Sequence, residues 1–246
     1  LPSCGHQGRG AGVGANMSAV VDRLLAICKW PIAALSLLML PGTARALCDL
    51  AVALSQRRDL YLPLLAGFAA YVLTWRLFLR HPAWGSLLST FEHELTHALF
   101  AWATLHPVVD FKATWRSGGH IKIRGKGNWL IALAPYFFPT AAVAVALALM
   151  WLPPAWLTWT NAFLGATIAY HLISTWNETH RRQPDLHKAG FLFAWLFLPA
   201  ANLLCYGLVI AFAFGGTDAT LEFIDDVWGR SAELLTSAQI TGTRPQ

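Results

Sequence analysis

This chain is short of charge. Asp, Glu, Lys and Arg make up 13% of its 246 residues, roughly half of what a soluble domain carries, while 56% are hydrophobic. Such a balance excludes a water-soluble enzyme with an ordinary surface and points to a protein whose outer face meets lipid. Cysteine is sparse as well. Cys4, Cys28, Cys48 and Cys205 show no CxxC or other zinc spacing, so neither a disulfide framework nor a thiolate metal site is expected. No internal repeat and no second soluble domain interrupt the pattern. The net charge of +5 does not indicate a nucleic-acid partner, because the Lys and Arg residues fall in short loops beside apolar runs.

A hydrocarbon core about 30 Å thick needs roughly 20 apolar residues at 1.5 Å each. Segments 129–152, 155–176 and 189–217 meet that length without a charge, 60–79 does so with Arg76 near its end, and 85–105 does so apart from one ionisable cluster. An earlier run, 20–40, is interrupted by Lys29 and Pro31, and the "ALCDLAVAL" after it is too short to span alone and either completes that run or lies at the interface. The expected fold is an all-α polytopic membrane protein of about six transmembrane helices. Between 108 and 124, β-branched and aromatic residues alternate with polar ones around "RSGG", which predicts a small β-hairpin at the membrane surface after the 85–105 helix. Residues 1–19, which include Met17, read as a flexible N-terminal tail, 20–216 as the membrane domain, and 217–246 as an amphipathic and flexible C-terminal tail. In that tail Leu221, Ile224, Val227 and Trp228 recur at helical spacing among acids. No small-residue cleavage site follows the first apolar run, so it is expected to stay as an anchor. A six-span count puts Arg45, Arg57, Arg58, Lys112, Arg116, Lys122, Arg124, Lys126, Arg181, Arg182 and Lys188 on one side, the cytoplasmic one.

The ionisable cluster is "TFEHELTHALF", residues 90–100. His93, Glu94 and His97 form the pattern H-E-x-x-H. At about 100° per residue, histidines four apart project from one helical face one turn apart, where their imidazoles can grip one zinc, and Glu94 beside them can hold a water against it. Zinc lowers that water's pKa toward about 7 and polarises a carbonyl while the carboxylate moves the proton. An ionisable group inside a span costs roughly 2.5 to 3.5 kcal/mol on insertion scales, so four together call for a functional reason. Glu92 points about 100° away from His93 and is expected to act as a supporting hydrogen-bond partner.

A zinc hydrolase needs a third protein ligand and an open fourth position. In "RRQPDLHKAG", Pro184 can open a helix and set Asp185 in its first turn, where the helix dipole favours a carboxylate. His171 and Glu178, seven apart on one helical face, are the alternative metal ligands. Asn128, at the start of the next span, either caps that helix or helps hold an oxyanion. His106 and His120 are expected at the interface, and Tyr136 between Pro135 and Pro139 marks a kinked, packed helix.

"FEHELTHALF", the Gly-rich hairpin, "LAPYFFP" and "QPDLHKAG" together resemble the site-2 protease family of intramembrane zinc metallopeptidases, in particular its small bacterial members. The resemblance covers roughly residues 85–200. It implies a Zn²⁺ cofactor held by His93, His97 and Asp185, Glu94 as general base, and a multi-pass protein of the bacterial inner membrane. It implies also that the edge of the hairpin, at Gly119, His120 and Ile121, pairs with an unwound segment of a transmembrane or membrane-associated protein substrate. The family aspartate usually precedes a glycine, whereas Leu186 follows Asp185 here. The competing class is a non-proteolytic membrane protein, either a zinc-binding scaffold or a small transporter; a scaffold needs no general base, and a transporter would spread ionisable groups over several spans.

Overall fold

A computed structural model describes residues 10–79, 86–114 and 118–242. Among these the chain is mostly helical with one two-stranded antiparallel sheet. The helices are α1 (Gly10–Ser55), α2 (Arg58–Thr74, continued by a π-helical turn at Trp75–Leu79), α3 (Ser86–Ala103), α4 (Trp129–Leu133), α5 (Thr140–Ala148), α6 (Leu157–Glu178), α7 (Pro184–Ala189) and α8 (Phe191–Gly242). Strands β1 (Val108–Ala113) and β2 (Gly119–Ile123) form the hairpin between α3 and α4, with Phe111 opposite Ile121 and Lys112 opposite His120. Its tip, including Arg116, lies outside the described residues, as do 1–9 and the "HPAWG" stretch before α3.

Among the described residues three helices are long and apolar enough to cross a membrane, Asn16–Ser55, Arg58–Leu79 and Phe191–Leu234. A fourth crossing is made if Trp129–Tyr136 and Thr140–Ala148, which are bent by 71°, count as one. The bend divides the span expected over 129–152 at the kink that Pro135 and Pro139 predict. Pro135 and Pro139 withhold backbone donors there, and a 3₁₀ turn at Ala134–Tyr136 takes up the change of direction.

One boundary differs from expectation at the start of the chain, and one open reading is decided. The runs 20–40 and "ALCDLAVAL" form one helix, α1, with Pro31 and Pro41 inside it, and residues 10–19 of the expected flexible tail are its first turns. The C-terminal tail is likewise helical as far as Gly242. Gly216, at φ 64° and ψ −147°, breaks α8 into arms spanning 191–215 and 217–242. The second arm folds back, so that Phe223 and Val227 pack with Ala46 of α1 and Ala211 of the first arm. Leu221 and Trp228, from the expected apolar stripe, face outward instead.

The main core joins α1, α4, α7 and α8 through Trp129, Leu133, Leu186, Phe193 and Phe197. Alongside it α2 and α6 run in the same direction with Gly67 against the Ala162 carbonyl, Gly165 against the Leu64 carbonyl, and the rings of Tyr71 and Tyr170 edge to face. Small residues allow this backbone approach, which lipid exposure alone would not drive. One expectation about sidedness fails. Near its start α1 meets α4 and the loop after α3, through Asp22 and Leu25, whereas Arg57 lies about 50 Å further along at 1.5 Å per residue. Arg57 and Arg58 therefore sit at the opposite end of the molecule from the hairpin and α7. The six-span count let α3 carry the chain across, but α3 ends against Asp22 in the half where α2 and α6 also end.

Candidate metal centre

Three of the sequence-predicted ligands converge. His93 and His97 lie one turn apart on α3, and α7 brings Asp185 across to them, with Pro184 opening that helix and Asp185 in its first turn. The two Nε2 atoms are 3.1 Å apart, and Asp185 Oδ2 lies 3.5 Å from that of His97 and 3.8 Å from that of His93. Ligand atoms about 2.0 to 2.2 Å from a tetrahedral ion stand roughly 3.3 to 3.6 Å from one another. The observed triangle brackets that spacing.

Hydrogen bonding assigns the imidazole tautomers. His97 Nδ1 donates to the Ile131 carbonyl at 2.7 Å, and His93 Nδ1 donates to Glu178 Oε2 at 3.0 Å. Both Nδ1 atoms thus carry hydrogen, so the neutral imidazoles turn their Nε2 lone pairs toward one another and toward Asp185. In that state two lone pairs and a carboxylate oxygen meet, an arrangement that a metal ion, or a proton on one Nε2, makes favourable. Among the described residues this is the group of His, Cys, Asp and Glu side chains able to hold a metal.

The surroundings hold the three ligands in place. Ser174 Oγ donates to Glu178 Oε1 at 3.0 Å, and Lys188 Nζ donates to Asp185 Oδ1 at 2.9 Å. Tyr136, fully buried, sets its ring edge-on to His93 and its hydroxyl accepts from Gln183 Nε2 at 2.6 Å. Glu92 serves a neighbouring helix rather than the ligands: its Oε1 accepts from the Ala141 backbone at 2.8 Å and so caps the start of α5.

Glu94 is buried beside the ligands, within electrostatic reach of His93, His97 and Asp185. Strand β2 starts against it. A Cβ on Gly119 would stand 2.6 Å from Glu94 Cγ and 2.7 Å from the Lys112 carbonyl, so only glycine lets the strand approach this closely. His120, the next residue, turns outward to Asp110, whose carboxyl is held below its usual range by hydrogen bonds from His120 and Lys122. Ile121 lies half-buried on the same strand.

The remaining candidates are placed elsewhere. Asn128 does not reach the ligands; its Oδ1 caps α4 by accepting from Ile131 N, and its Nδ2 donates to Asp22. His171 bonds Tyr206 across to α8 at 2.7 Å and is no ligand, while Glu178 supports His93 instead of joining the triangle. His106 is buried, not interfacial. Sequence reasoning missed Ile131 and Asp22. A backbone carbonyl leaves no mark in a sequence, whereas an acid opening an apolar run could have marked Asp22.

No family model matches this chain, and no curated protein or solved structure does either.

Proposed function

We propose that the protein is a zinc-dependent intramembrane protease, similar to the site-2 protease family, that hydrolyses peptide bonds in or near membrane-spanning substrates. The observation that carries this reading is the meeting of two imidazole Nε2 atoms and a carboxylate beside a buried glutamate that stands outside that group. Two histidines, one carboxylate and an open fourth position suit zinc in hydrolases and iron in oxygenases alike. Glu94 decides between them, because hydrolysis needs a base next to the metal and an oxygenase site does not.

Zinc bound there would acidify a water and polarise the scissile carbonyl. Glu94 takes the proton from the attacking water and returns it to the departing amine, a role its burial beside the ligands permits. β2, which reaches Glu94 at Gly119, offers backbone groups to an unwound substrate strand, with His120 and Ile121 following along it. The end of the molecule that carries the metal centre also carries Lys112, Lys122, Arg124, Arg181, Arg182 and Lys188, and positive charge at a membrane boundary marks the cytoplasmic face. We accordingly place the protein in the bacterial inner membrane as a multi-pass protein, with about six crossings if both arms of α8 and the bent α4–α5 pair are counted.

The test is cleavage of a membrane-spanning reporter peptide by the full chain in zinc-supplied liposomes. Glu94→Gln is expected to lower the rate by about 10²- to 10⁴-fold, the usual contribution of a general base. Cleavage at the unaltered rate by that variant, or insensitivity of cleavage to a metal chelator, would overturn the proposal.

A further inference from the structure

The structure ties the metal centre to a residue far outside the motif-bearing region. Asp22 lies near the start of α1, and its carboxylate joins both stems of the hairpin. Oδ1 accepts from Asn128 Nδ2 at 2.9 Å, immediately after the hairpin, and Oδ2 pairs with His106 Nε2 at 3.2 Å, immediately before it. The His106 ring is fully buried, with its Nδ1 3.2 Å from the Thr104 hydroxyl. It is delivered there by the end of α3. Leu105 adopts φ 62°, His106 N bonds back to the Ala101 carbonyl at 2.7 Å and Leu105 N to that of Trp102 at 3.0 Å, the bond pattern that closes a helix on a left-handed residue.

On the other stem the link runs straight to a ligand. Asn128 Nδ2 is fixed by Asp22, Asn128 Oδ1 holds Ile131 N at 3.1 Å, and the carbonyl of the same Ile131 receives His97 Nδ1. Trp129 Nε1 adds a bond to the Leu25 carbonyl at 2.8 Å, one turn along α1 from Asp22. The first turn of α4 is thus clamped on both sides by α1.

We propose that Asp22 is a positioning residue of the metal centre: by holding Asn128 and His106 it fixes the first turn of α4, and with it the Ile131 carbonyl that aims His97 Nε2 at the ion. The inference rests on the metal-centre reading above and extends it to α1, which lies outside residues 85–200. It assigns to α1 a task besides membrane anchoring. The chain before the H-E-x-x-H helix becomes part of the site.

The test compares zinc retention against a chelator, and the visible spectrum of cobalt(II) in place of zinc, in the full-length protein and its variants. Asp22→Ala is expected to weaken zinc binding by about tenfold, the low end of what losing a partner behind a metal ligand costs, and to shift the cobalt spectrum. Asp22→Asn keeps an acceptor for Asn128 and, with the other imidazole tautomer, a partner for His106; it is expected to restore both readouts. Should Asp22→Ala fail to fold, Asn128→Ser retains a capping oxygen for α4 but cannot reach Asp22, and the same loss is expected of it. Unchanged affinity and spectrum in a folded Asp22→Ala or Asn128→Ser protein would overturn the inference and leave the metal centre standing. Failure of the unaltered protein to bind zinc or cobalt would overturn both.

Discussion

Each histidine of the H-E-x-x-H motif is aimed by a different kind of partner, and the two partners differ in how far they can be altered. Ile131 supplies a backbone carbonyl that substitution leaves in place, whereas Glu178 supplies a side chain. Glu178→Ala should weaken zinc binding by about 10- to 100-fold, because His93 loses both its tautomer and its orientation. Chelator competition on the purified protein measures this; an unchanged affinity would remove Glu178 from the site. At Gly119 the expectation is the reverse. Gly119→Val pushes β2 off Glu94 and should lower cleavage with little change in bound metal, read by the reporter assay beside a metal count. At this scale the sequence was informative for side chains with a chemical signature. His93, Glu94 and His97 followed from helical spacing and Asp185 from Pro184, whereas Ile131 could not be seen; Glu178 was noticed as a ligand rather than as the partner of His93, and of the two readings of Asn128 the helix cap is the one it performs.

Among the elements, the breaks matter more than the spans. Gly216 reverses α8 with a φ and ψ that essentially only glycine adopts, and the second arm then lays Phe223 and Val227 onto α1. Gly216→Val should therefore destabilise the folded protein by roughly 1 to 3 kcal/mol, visible as a lower unfolding midpoint in detergent, with the zinc affinity unchanged because the ligands lie at the other end of the first arm. Equal midpoints would mean that the arm does not need this reversal. Hydropathy made the apolar runs legible but not where they bend. The prolines at 135 and 139 were read as a kink without its 71° consequence, and the two runs inside α1 could be one helix or a helix and an interfacial piece, because prolines such as Pro31 and Pro41 interrupt a sequence pattern yet are tolerated within one helix whose other contacts hold it. The hairpin was legible because alternation of polar and apolar residues around glycines has few other meanings.

Over the whole molecule, two groups of helices contribute to the candidate site, α1 with α4, α7 and α8, and α2 with α6; they pack on each other through Leu164, Ile168, Tyr206 and Val209, and α3 brings its histidines to both. Asp185 comes from the first group, and Glu178, which aims His93, comes from the end of α6 in the second. Gly67→Leu would force α2 away from the Ala162 carbonyl and should destabilise the protein by about 1 to 3 kcal/mol, the usual effect of overpacking; unaltered unfolding in detergent would show that the two helices do not depend on this approach. Sidedness was the least legible property, because counting spans treats α3 as a full crossing, whereas α3 is not among the described helices long and apolar enough to cross and its end meets Asp22 near the start of α1. The most direct measurement of the central claim is the zinc content of the purified full-length protein and its single variants. One zinc per chain is expected in the unaltered protein and in Glu94→Gln, and a loss of zinc in His93→Ala, His97→Ala and Asp185→Ala; full zinc content in any of those three, or zinc lost with Glu94→Gln, would contradict the assignment of ligands and base.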